Sequence, residues 1–438
     1  MNKNLMRVLL AAFLTDGYKL DHRRQYPKGT TLVYSNLTPR TCNYYPVAYE
    51  GAVVFGMQYA IKHYLVEWFN ESFFNRDVNE VCKEYQELLD SYLGPNTIGT
   101  DHIRALHELG YLPIRIKALP EGSLCPLRVP MLTIENTNPD FFWLTNYLET
   151  LLSTSIWLPT TSATTARLFK KELIHHARKT GFADNDLSFL CHDFSMRGMG
   201  DIVSGMASAM GHLTSFNGTE NLTALVGIKQ YYNTDYAKTP FAGTVPATEH
   251  SVMCAGGMED EFGTFKRLIT EVYPKGFVSI VSDTWDFWKV IDEYLPKLKD
   301  IIMARDGRVV IRPDSGDPAD IICGVQYCDI IPIERKGFFY YKNYLNSEAK
   351  VRGEVFSDCF NNPEKYHKLT VSELKGAYQC LYEIFGGKIN SKGFKELDSH
   401  IGMIYGESIT LDVQKDIYKR LEDKGFAASN LVLGVGLA

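Results

Sequence analysis

The sequence predicts a chain of mixed α and β structure in which a parallel α/β barrel follows an N-terminal mixed region. From about residue 188 onward, short apolar runs end in polar, glycine-containing turns and are followed by helical stretches. This pattern is typical of parallel strands that are buried on both faces. Over the first 180 residues, strand-like pieces at 30–37, 113–119 and 129–137 lie between longer helical stretches. We therefore expect two domains, 1–180 and 181–438, with an elaborated region at 324–400 that breaks the barrel rhythm.

Length and composition exclude several classes of protein. The chain has 438 residues, of which 45% are hydrophobic and 22% charged, as in ordinary globular domains with a sizeable core. Lys and Arg number 46 against 52 Asp and Glu, a net charge of -6. We expect no nucleic-acid partner, so any polyanionic ligand must be bound by a few convergent side chains in a pocket.

Cysteine usage and hydropathy predict a cytoplasmic protein. The 9 cysteines are odd in number and contain no CxxC pair, which favours a reducing compartment over a disulfide framework or structural zinc. No apolar stretch reaches the roughly 20 residues that span a bilayer, so no membrane partner is expected. The apolar run at 8–14 resembles a weak signal peptide, but no small-residue cleavage site follows it, and we expect it to stay in the mature protein.

Chemically capable residues cluster where the predicted barrel strands end. Because the carboxyl ends of parallel strands meet at one face of a barrel, these residues predict a shared pocket at its mouth. The residues are His192, Asp193, Phe194, Arg197, Ser282, Asp283, Arg312, Asp314, Glu407, Gly434 and Gly436.

The segment RVVIRPDSGDP at 308–318 places Arg312 and Asp314 on either side of a proline that fixes the turn. An arginine fork suits phosphate oxygens, and an aspartate accepts from sugar hydroxyls or holds Mg²⁺. The alternative is an intramolecular Arg/Asp pair that only caps the turn.

The segment HDFSMRG at 192–198 places an aromatic ring and an arginine at a strand end. Phe194 suits stacking on a flat heteroaromatic ring, and Arg197 suits a phosphate. The alternative is a tight turn that serves packing only.

Two further segments carry candidate groups. His250, in TVPATEHS, suits the role of nucleophile or base near neutral pH, although a lone histidine is more often structural. Glu220, in FNGTENL, is a candidate acceptor for an amide NH₂, and the alternative is a helix N-cap that opens at Thr219.

The order of these motifs resembles that of the nicotinamide phosphoribosyltransferases, over essentially the whole chain apart from 324–400. The matching segments are DGYKLDHRRQYP, Arg40, VFGMQY, IKALPEG, IENTNPDFFWLTNYLET, HDFSMRG, FNGTE, VPATEHS, SIVSD, IRPDSGDP, YGES and LGVG. The resemblance implies an irregular α/β barrel of the type II phosphoribosyltransferase kind. It implies that nicotinamide and 5-phosphoribosyl-1-pyrophosphate give nicotinamide mononucleotide and pyrophosphate in NAD salvage. It also implies Mg²⁺, optional coupling to ATP, and a homodimer whose active sites are shared between subunits.

The resemblance further implies roles for individual residues. Phe194 and the partner subunit's Tyr18 would sandwich the pyridine ring, and Asp283 would lie near Mg²⁺. His250, which the family phosphorylates with ATP, forms the predicted catalytic set with Arg312 and Asp314. The predicted substrate-binding residues are Tyr18, Arg40, Phe194, Arg197, Glu220, Thr244, Ser279, Gly406, Glu407, Gly434 and Gly436.

Within that set, Arg197 and Arg312 would bind phosphate and orient the ring, and Asp314 with Gly406 would hold the ribose. Arg40 would reach phosphate from the other subunit. Thr244 stands where the family usually has a serine beside the base.

The sequence departs from the family in two respects. Glu220 and Glu407 stand where relatives carry Asp, and an anionic acceptor at 220 still favours nicotinamide over nicotinate, whose carboxylate it repels. The chain ends at Ala438 inside the glycine loop, where relatives continue for several dozen residues. A fragment, a split protein completed by a second polypeptide and a catalytically impaired product are the alternatives that this leaves open. The alternative functions are a nicotinate phosphoribosyltransferase and a truncated, non-catalytic nucleotide-binding or partner subunit.

Overall fold

The computed structural model describes residues 9–43, 45–326, 330–334, 338–342, 367–407 and 409–436. These residues pack as two compact units. The first unit contains the described residues up to Arg167 together with Met196–Ser215 and Asn221–Phe241. The second unit contains Leu168–Ser195, Phe216–Glu220 and the described residues from Ala242 onward. The expected domain division at 180/181 stays a prediction.

The strands and helices are numbered in chain order. The strands are β1 Tyr34–Leu37, β2 Ala52–Val53, β3 Ile114–Ala118, β4 Leu124–Cys125, β5 Leu132–Asn136, β6 Cys191–Asp193, β7 Gly218–Thr219, β8 Val278–Val281, β9 Val309–Arg312, β10 Ile330–Glu334, β11 Phe338–Lys342, β12 Gly387–Ile389, β13 Lys395–Leu397, β14 Ile401–Tyr405 and β15 Leu431–Val435. The α-helices are α1 His22–Gln25, α2 Met57–Ala60, α3 Val78–Leu93, α4 Asp101–Leu109, α5 Leu144–Tyr147, α6 Glu149–Thr180, α7 Ile202–His212, α8 Leu222–Tyr231, α9 His250–Ala255, α10 Glu261–Arg267, α11 Phe287–Lys289, α12 Leu295–Met303, α13 Pro318–Cys323, α14 Val371–Lys375, α15 Ala377–Phe385 and α16 Leu411–Asp423.

The first unit is built on a three-stranded antiparallel sheet of order β1-β5-β3. Its strands coincide with the three strand-like pieces that the sequence indicates. Alternate residues of β5 are buried, as expected for a sheet with one face on a core. Helix α3 begins at the N-cap Asp77, whose carboxylate accepts from the backbone amides of Asn79 and Glu80.

The second unit is built on a six-stranded parallel sheet of order β7-β6-β15-β14-β9-β8. The five apolar runs that predict barrel strands form β6, β8, β9, β14 and β15. Every residue of β6 and β8 is buried, as expected for parallel strands that are covered on both faces. The predicted parallel α/β barrel is confirmed.

The segment 243–248 links the two edges of this sheet. The backbone amide of Gly243 donates to Asn217 O at 2.9 Å, beside β7. At the other edge, the amide of Ser279 in β8 donates to Pro246 O at 2.8 Å, and the amide of Thr248 donates to Ser279 O at 2.9 Å. The segment therefore closes an irregular barrel, and its residues lie level with the strand ends.

The region 324–400 lies partly outside the described residues. Its described part contains two antiparallel hairpins, β10-β11 and β12-β13, and the helices α14 and α15. Within the described ranges, no helix combines the length and apolar character that a membrane span requires.

Candidate active site

The strand ends of the second unit surround a cavity of about 650 Å³. Because all six strands run parallel, their carboxyl ends lie at one edge. The cavity lining extends from residues at that edge, such as Arg312, to residues at the opposite strand ends, such as Leu190 and Arg308. Five of the predicted site residues line it: Phe194, Glu220, Thr244, Ser279 and Arg312. The predicted residues Asp283, Asp314 and His250 are not among those that line it, so the shared site stays a prediction.

The ring of Phe194 rests on two glycines. A Cβ atom added to Gly434 would lie 2.4 Å from Cε2 of Phe194, and one added to Gly406 would lie 3.4 Å from the same atom. Any larger residue at 434 would collide with the ring. The Arg312 guanidinium carbon lies 5.9 Å from the Phe194 ring centroid, so the ring is positioned between backbone and cation.

Glu220 follows β7 and is held by two side-chain donors. His192 Nε2 lies 3.0 Å from Glu220 Oε1, and the Thr244 hydroxyl donates to the same oxygen at 2.6 Å. Burial raises the pKa of Glu220, but the hydrogen bonds from His192 and Thr244 outweigh that effect, so the pKa lies below its ordinary value of 4.5. Glu220 is therefore anionic at neutral pH.

A chain of hydrogen bonds joins Arg312 to Asp283. Arg312 Nη2 donates to Asp314 Oδ2 at 3.0 Å, and the Asp314 amide donates to Asp283 Oδ2 at 2.9 Å. The Ser315 hydroxyl also donates to Asp283 Oδ2, at 2.6 Å. The Arg/Asp pair that the sequence offers as an alternative is thus formed. Together these hydrogen bonds hold the Arg312 guanidinium and the carboxylates of Asp314 and Asp283 close to one another.

Asp283 keeps one oxygen free of hydrogen bonds. Its side chain is 6% exposed, and Oδ1 is buried without a hydrogen-bond partner, 3.4 Å from His250 Nε2. His250 opens α9 with its side chain 50% exposed, so it is accessible from solvent. An orphaned carboxylate oxygen is a suitable ligand for Mg²⁺, which typically binds one or two carboxylates plus phosphate oxygens. No group of three or more His, Cys, Asp or Glu side chains suited to a metal occurs within the described ranges.

Ser279, which lines the cavity, carries a second buried polar atom without a hydrogen bond. The residue is 3% exposed, and its hydroxyl oxygen is buried without a hydrogen-bond partner. A buried hydroxyl is costly to leave unpaired, so Ser279 is available for a ligand in the cavity that it lines.

The remaining predicted residues divide into two groups. Glu407 and Gly436 follow β14 and β15 in the second unit, and both are exposed. Tyr18, Arg40 and Arg197 belong to the first unit. Tyr18 is 65% exposed in the 3₁₀ turn Gly17–Asp21, and Arg197 lies in the 3₁₀ turn Ser195–Gly198. The roles of these residues in ligand binding stay predictions.

Sequence reasoning assigned no role to His192, which contacts Glu220. A signal was present: His192 and Phe194 are two apart at the end of a strand, and such residues share a face of the sheet. The helix cap offered as an alternative at Thr219 is wrong, because Asn221 caps α8 with its side-chain oxygen. The Thr219 hydroxyl instead donates to the buried carboxylate of Asp193 at 2.8 Å.

The fold defines the class of protein as a type II phosphoribosyltransferase-like α/β barrel. The crystal structure of human nicotinic acid phosphoribosyltransferase matches with a TM-score of 0.52 at 14% identity, covering 97% of this chain and 73% of that chain. At this identity the similarity concerns the fold alone.

Sequence comparison gives the family. The model of the nicotinate phosphoribosyltransferase family matches residues 189–438, and that of the nicotinamide phosphoribosyltransferase N-terminal domain matches residues 10–116. The nicotinamide phosphoribosyltransferase of Acinetobacter baylyi is 46% identical over 431 residues, covering 96% of this chain and 77% of the relative. That of Mycoplasma pneumoniae is 33% identical over 440 residues, covering 96% and 83%. The chain belongs to the nicotinamide phosphoribosyltransferase family.

Proposed function

We propose that the protein is a pentosyltransferase that joins nicotinamide to 5-phosphoribosyl-1-pyrophosphate, giving nicotinamide mononucleotide and pyrophosphate in NAD salvage. The observation that carries this proposal is the single cavity in which Phe194, Glu220 and Arg312 meet. An aromatic ring, an anionic acceptor and a guanidinium around one space suit a flat base that bears an amide and a sugar that bears phosphates.

Base recognition rests on Phe194 and Glu220. The Phe194 ring offers a flat surface on which a pyridine ring stacks. The Glu220 carboxylate accepts a hydrogen bond from the carboxamide NH₂, whereas the carboxylate of nicotinate has no donor there and is repelled. Phe194 would thus align the pyridine ring, and Glu220 would distinguish its carboxamide from a carboxylate.

In the transfer itself, the pyridine nitrogen forms a bond to the anomeric carbon of the ribose while the bond from that carbon to pyrophosphate breaks. The electron pair of the broken bond leaves with pyrophosphate, and the nitrogen becomes a pyridinium cation. Arg312 would neutralise phosphate charge, and Asp314 would accept from the ribose hydroxyls. Both residues are held in place before the reaction by their mutual hydrogen bond, so little reorganisation is needed.

Asp283 is the residue that would hold Mg²⁺, through the Oδ1 atom that is buried and unpaired. When bound, Mg²⁺ supplies positive charge that offsets the charge on the phosphate groups. The hydrogen bonds from Ser315 and from the Asp314 backbone fix the carboxylate through its other oxygen, which leaves Oδ1 presented.

ATP coupling is assigned to His250. Its exposed imidazole would attack the γ-phosphate of ATP, with formation of a nitrogen–phosphorus bond and release of ADP. Phosphorylation would then favour a conformation that binds the substrates more tightly.

The direct experiment is to incubate the purified protein with nicotinamide, phosphoribosyl pyrophosphate and Mg²⁺, with and without ATP, and to measure nicotinamide mononucleotide. The proposal predicts product in both cases and more product with ATP. A parallel incubation with nicotinate separates this activity from that of a nicotinate phosphoribosyltransferase. Absence of the mononucleotide under all these conditions would contradict the proposal and favour a non-catalytic binding protein.

A variant tests the ATP assignment. His250→Ala should lose the stimulation by ATP while it keeps basal transferase activity, because the histidine takes no part in the bond to ribose. The measurement is product formation against ATP concentration, with ³²P transfer to the protein as a second readout. Stimulation that persists in the variant would remove the phosphohistidine role.

Homodimer formation, with Tyr18 and Arg40 of one subunit completing the site of the other, belongs to the same proposal. The cytoplasmic location that cysteine usage predicts is proposed likewise.

A further inference from the structure

We propose that His192 is a positioning residue that, together with Thr244, holds Glu220 so that one carboxylate oxygen remains for the substrate carboxamide. The inference deepens the proposed function and rests on it, since it concerns how that same site distinguishes an amide from a carboxylate. The sequence motifs assign His192 no part in this discrimination.

The geometry of the two hydrogen bonds carries the inference. Both donors, His192 Nε2 at 3.0 Å and the Thr244 hydroxyl at 2.6 Å, converge on Glu220 Oε1. Oε2 receives no hydrogen bond from any residue that the structure describes. Since Glu220 lines the cavity and its side chain is 43% exposed, Oε2 is the oxygen left for a ligand.

His192 is itself held rigidly. Its side chain is 8% exposed, and its ring centroid lies 5.0 Å from that of Phe194. A Cβ atom on Gly218 would lie 2.5 Å from His192 Nδ1, so glycine at 218 provides the space for the imidazole. One ring therefore contacts both the residue assigned to stacking and the residue assigned to the amide.

A glutamate needs such support more than an aspartate does. The extra methylene adds a rotatable bond, and fixing a free glutamate side chain costs conformational entropy at each binding event. Two donors on one oxygen fix the rotamer before the substrate arrives, which is the preorganisation that improves affinity and selectivity. The support from His192 and Thr244 thus compensates for the longer side chain at 220.

The test compares variants that remove or keep each donor. His192→Leu and Thr244→Val should each raise the KM for nicotinamide by roughly tenfold, with kcat and the KM for phosphoribosyl pyrophosphate changed by less than about twofold. His192→Gln, whose amide nitrogen can replace Nε2 as donor, should recover most of the loss. Thr244 lies at the surface of the cavity, so Thr244→Val tests the inference even if His192→Leu does not fold. The matched control is His367→Leu, which breaks a histidine–glutamate pair with Glu373 away from the cavity and should change none of these constants.

A double-variant cycle decides whether His192 acts through Glu220. If it does, His192→Leu in a Glu220→Gln background should raise the KM for nicotinamide by no more than about twofold, because the residue that His192 positions is already altered. Two results would overturn the inference. One is that His192→Leu raises the KM for nicotinamide equally in the unaltered protein and in Glu220→Gln. The other is an unchanged KM for nicotinamide in both His192→Leu and Thr244→Val.

Direct calorimetric titration with nicotinamide separates this inference from the proposed function. If the unaltered protein binds nicotinamide and makes its mononucleotide while the variants bind equally well, only the positioning role fails. If the unaltered protein neither binds nicotinamide nor forms product, both fail together.

Discussion

At the scale of single residues, we expect the charge of Glu220 to decide which pyridine the site accepts. Glu220→Gln keeps the shape but removes the charge that repels a carboxylate, so the preference for nicotinamide over nicotinate should fall by about tenfold or more. The measurement is the ratio of kcat/KM for the two substrates. Glu293→Gln, at an exposed site paired with Lys297, is the control and should leave the ratio unchanged. An unchanged ratio in Glu220→Gln would show that this residue does not read the amide.

Gly434 matters at the same scale because nothing larger fits beneath Phe194. Gly434→Ala places a Cβ atom 2.4 Å from the ring, which must move or tilt. We expect a loss of about 1–3 kcal/mol of stability from overpacking and a raised KM for nicotinamide. Thermal unfolding and steady-state kinetics measure the two effects. Gly200→Ala, where an added Cβ meets nothing within 4 Å, should show neither, and wild-type kinetics in Gly434→Ala would contradict the packing argument.

At the scale of elements, strand β14 supports the loop that carries Asp314. The hydroxyl of the buried Tyr405 donates to the backbone oxygens of Ser315 and Gly316, both at 2.9 Å. Tyr405→Phe leaves these two acceptors unpaired and should cost about 1–2 kcal/mol of stability. Because the loop positions Asp314, the KM for phosphoribosyl pyrophosphate should rise as well.

A second buried tyrosine provides the control for this element. The Tyr378 hydroxyl donates to Ala427 O at 2.9 Å, away from the Asp314 loop. Tyr378→Phe should lose similar stability without any change in the KM for phosphoribosyl pyrophosphate. Identical kinetic effects in the two variants would mean that general destabilisation, not loop support, affects that KM.

At the scale of the whole molecule, the proposed homodimer with shared active sites predicts complementation between inactive variants. Tyr18→Ala and Arg312→Ala should each abolish most activity, since each damages a different half of every site. In a refolded equal mixture, half the dimers are mixed and contain one intact site of two, so about a quarter of the wild-type activity should return. Activity of the mixture measures this. Phe194→Ala mixed with Arg312→Ala should recover nothing, because both residues line the same cavity, and no recovery with Tyr18→Ala would argue against sharing.

Much of this architecture is predictable because parallel strands leave a local signature. The apolar runs of β6, β8, β9, β14 and β15 are buried on both faces, and a polar turn follows each. Once the strands are parallel, their carboxyl ends must share one edge. The proximity of Phe194 and Arg312 could therefore be predicted from the sequence alone. The individual roles came from family motifs and not from this geometry.

The features that sequence did not predict depend on contacts between distant segments. The segment 243–248 has no strand pattern of its own, and only its pairing with β7 and β8 shows that it closes the barrel. Likewise, Gly434 is predicted from the family motifs as a substrate-binding residue, yet in the structure it also makes room for Phe194. Contacts of this kind join residues that are far apart in the sequence, so they produce no periodic pattern from which they could be predicted.

The position of β15 has a consequence for how the protein is made. This strand is the last of the six to leave the ribosome, yet it pairs with β6 on one side and β14 on the other. Until residues 431–435 emerge, the nascent sheet, which the segment 243–248 joins through β7 and β8, stays open between β6 and β14. Open strand edges are the kind of surface that recruits other strands. The barrel therefore cannot close before its last strand has been translated, and until then the unpaired edges of β6 and β14 are where pairing with other chains would begin.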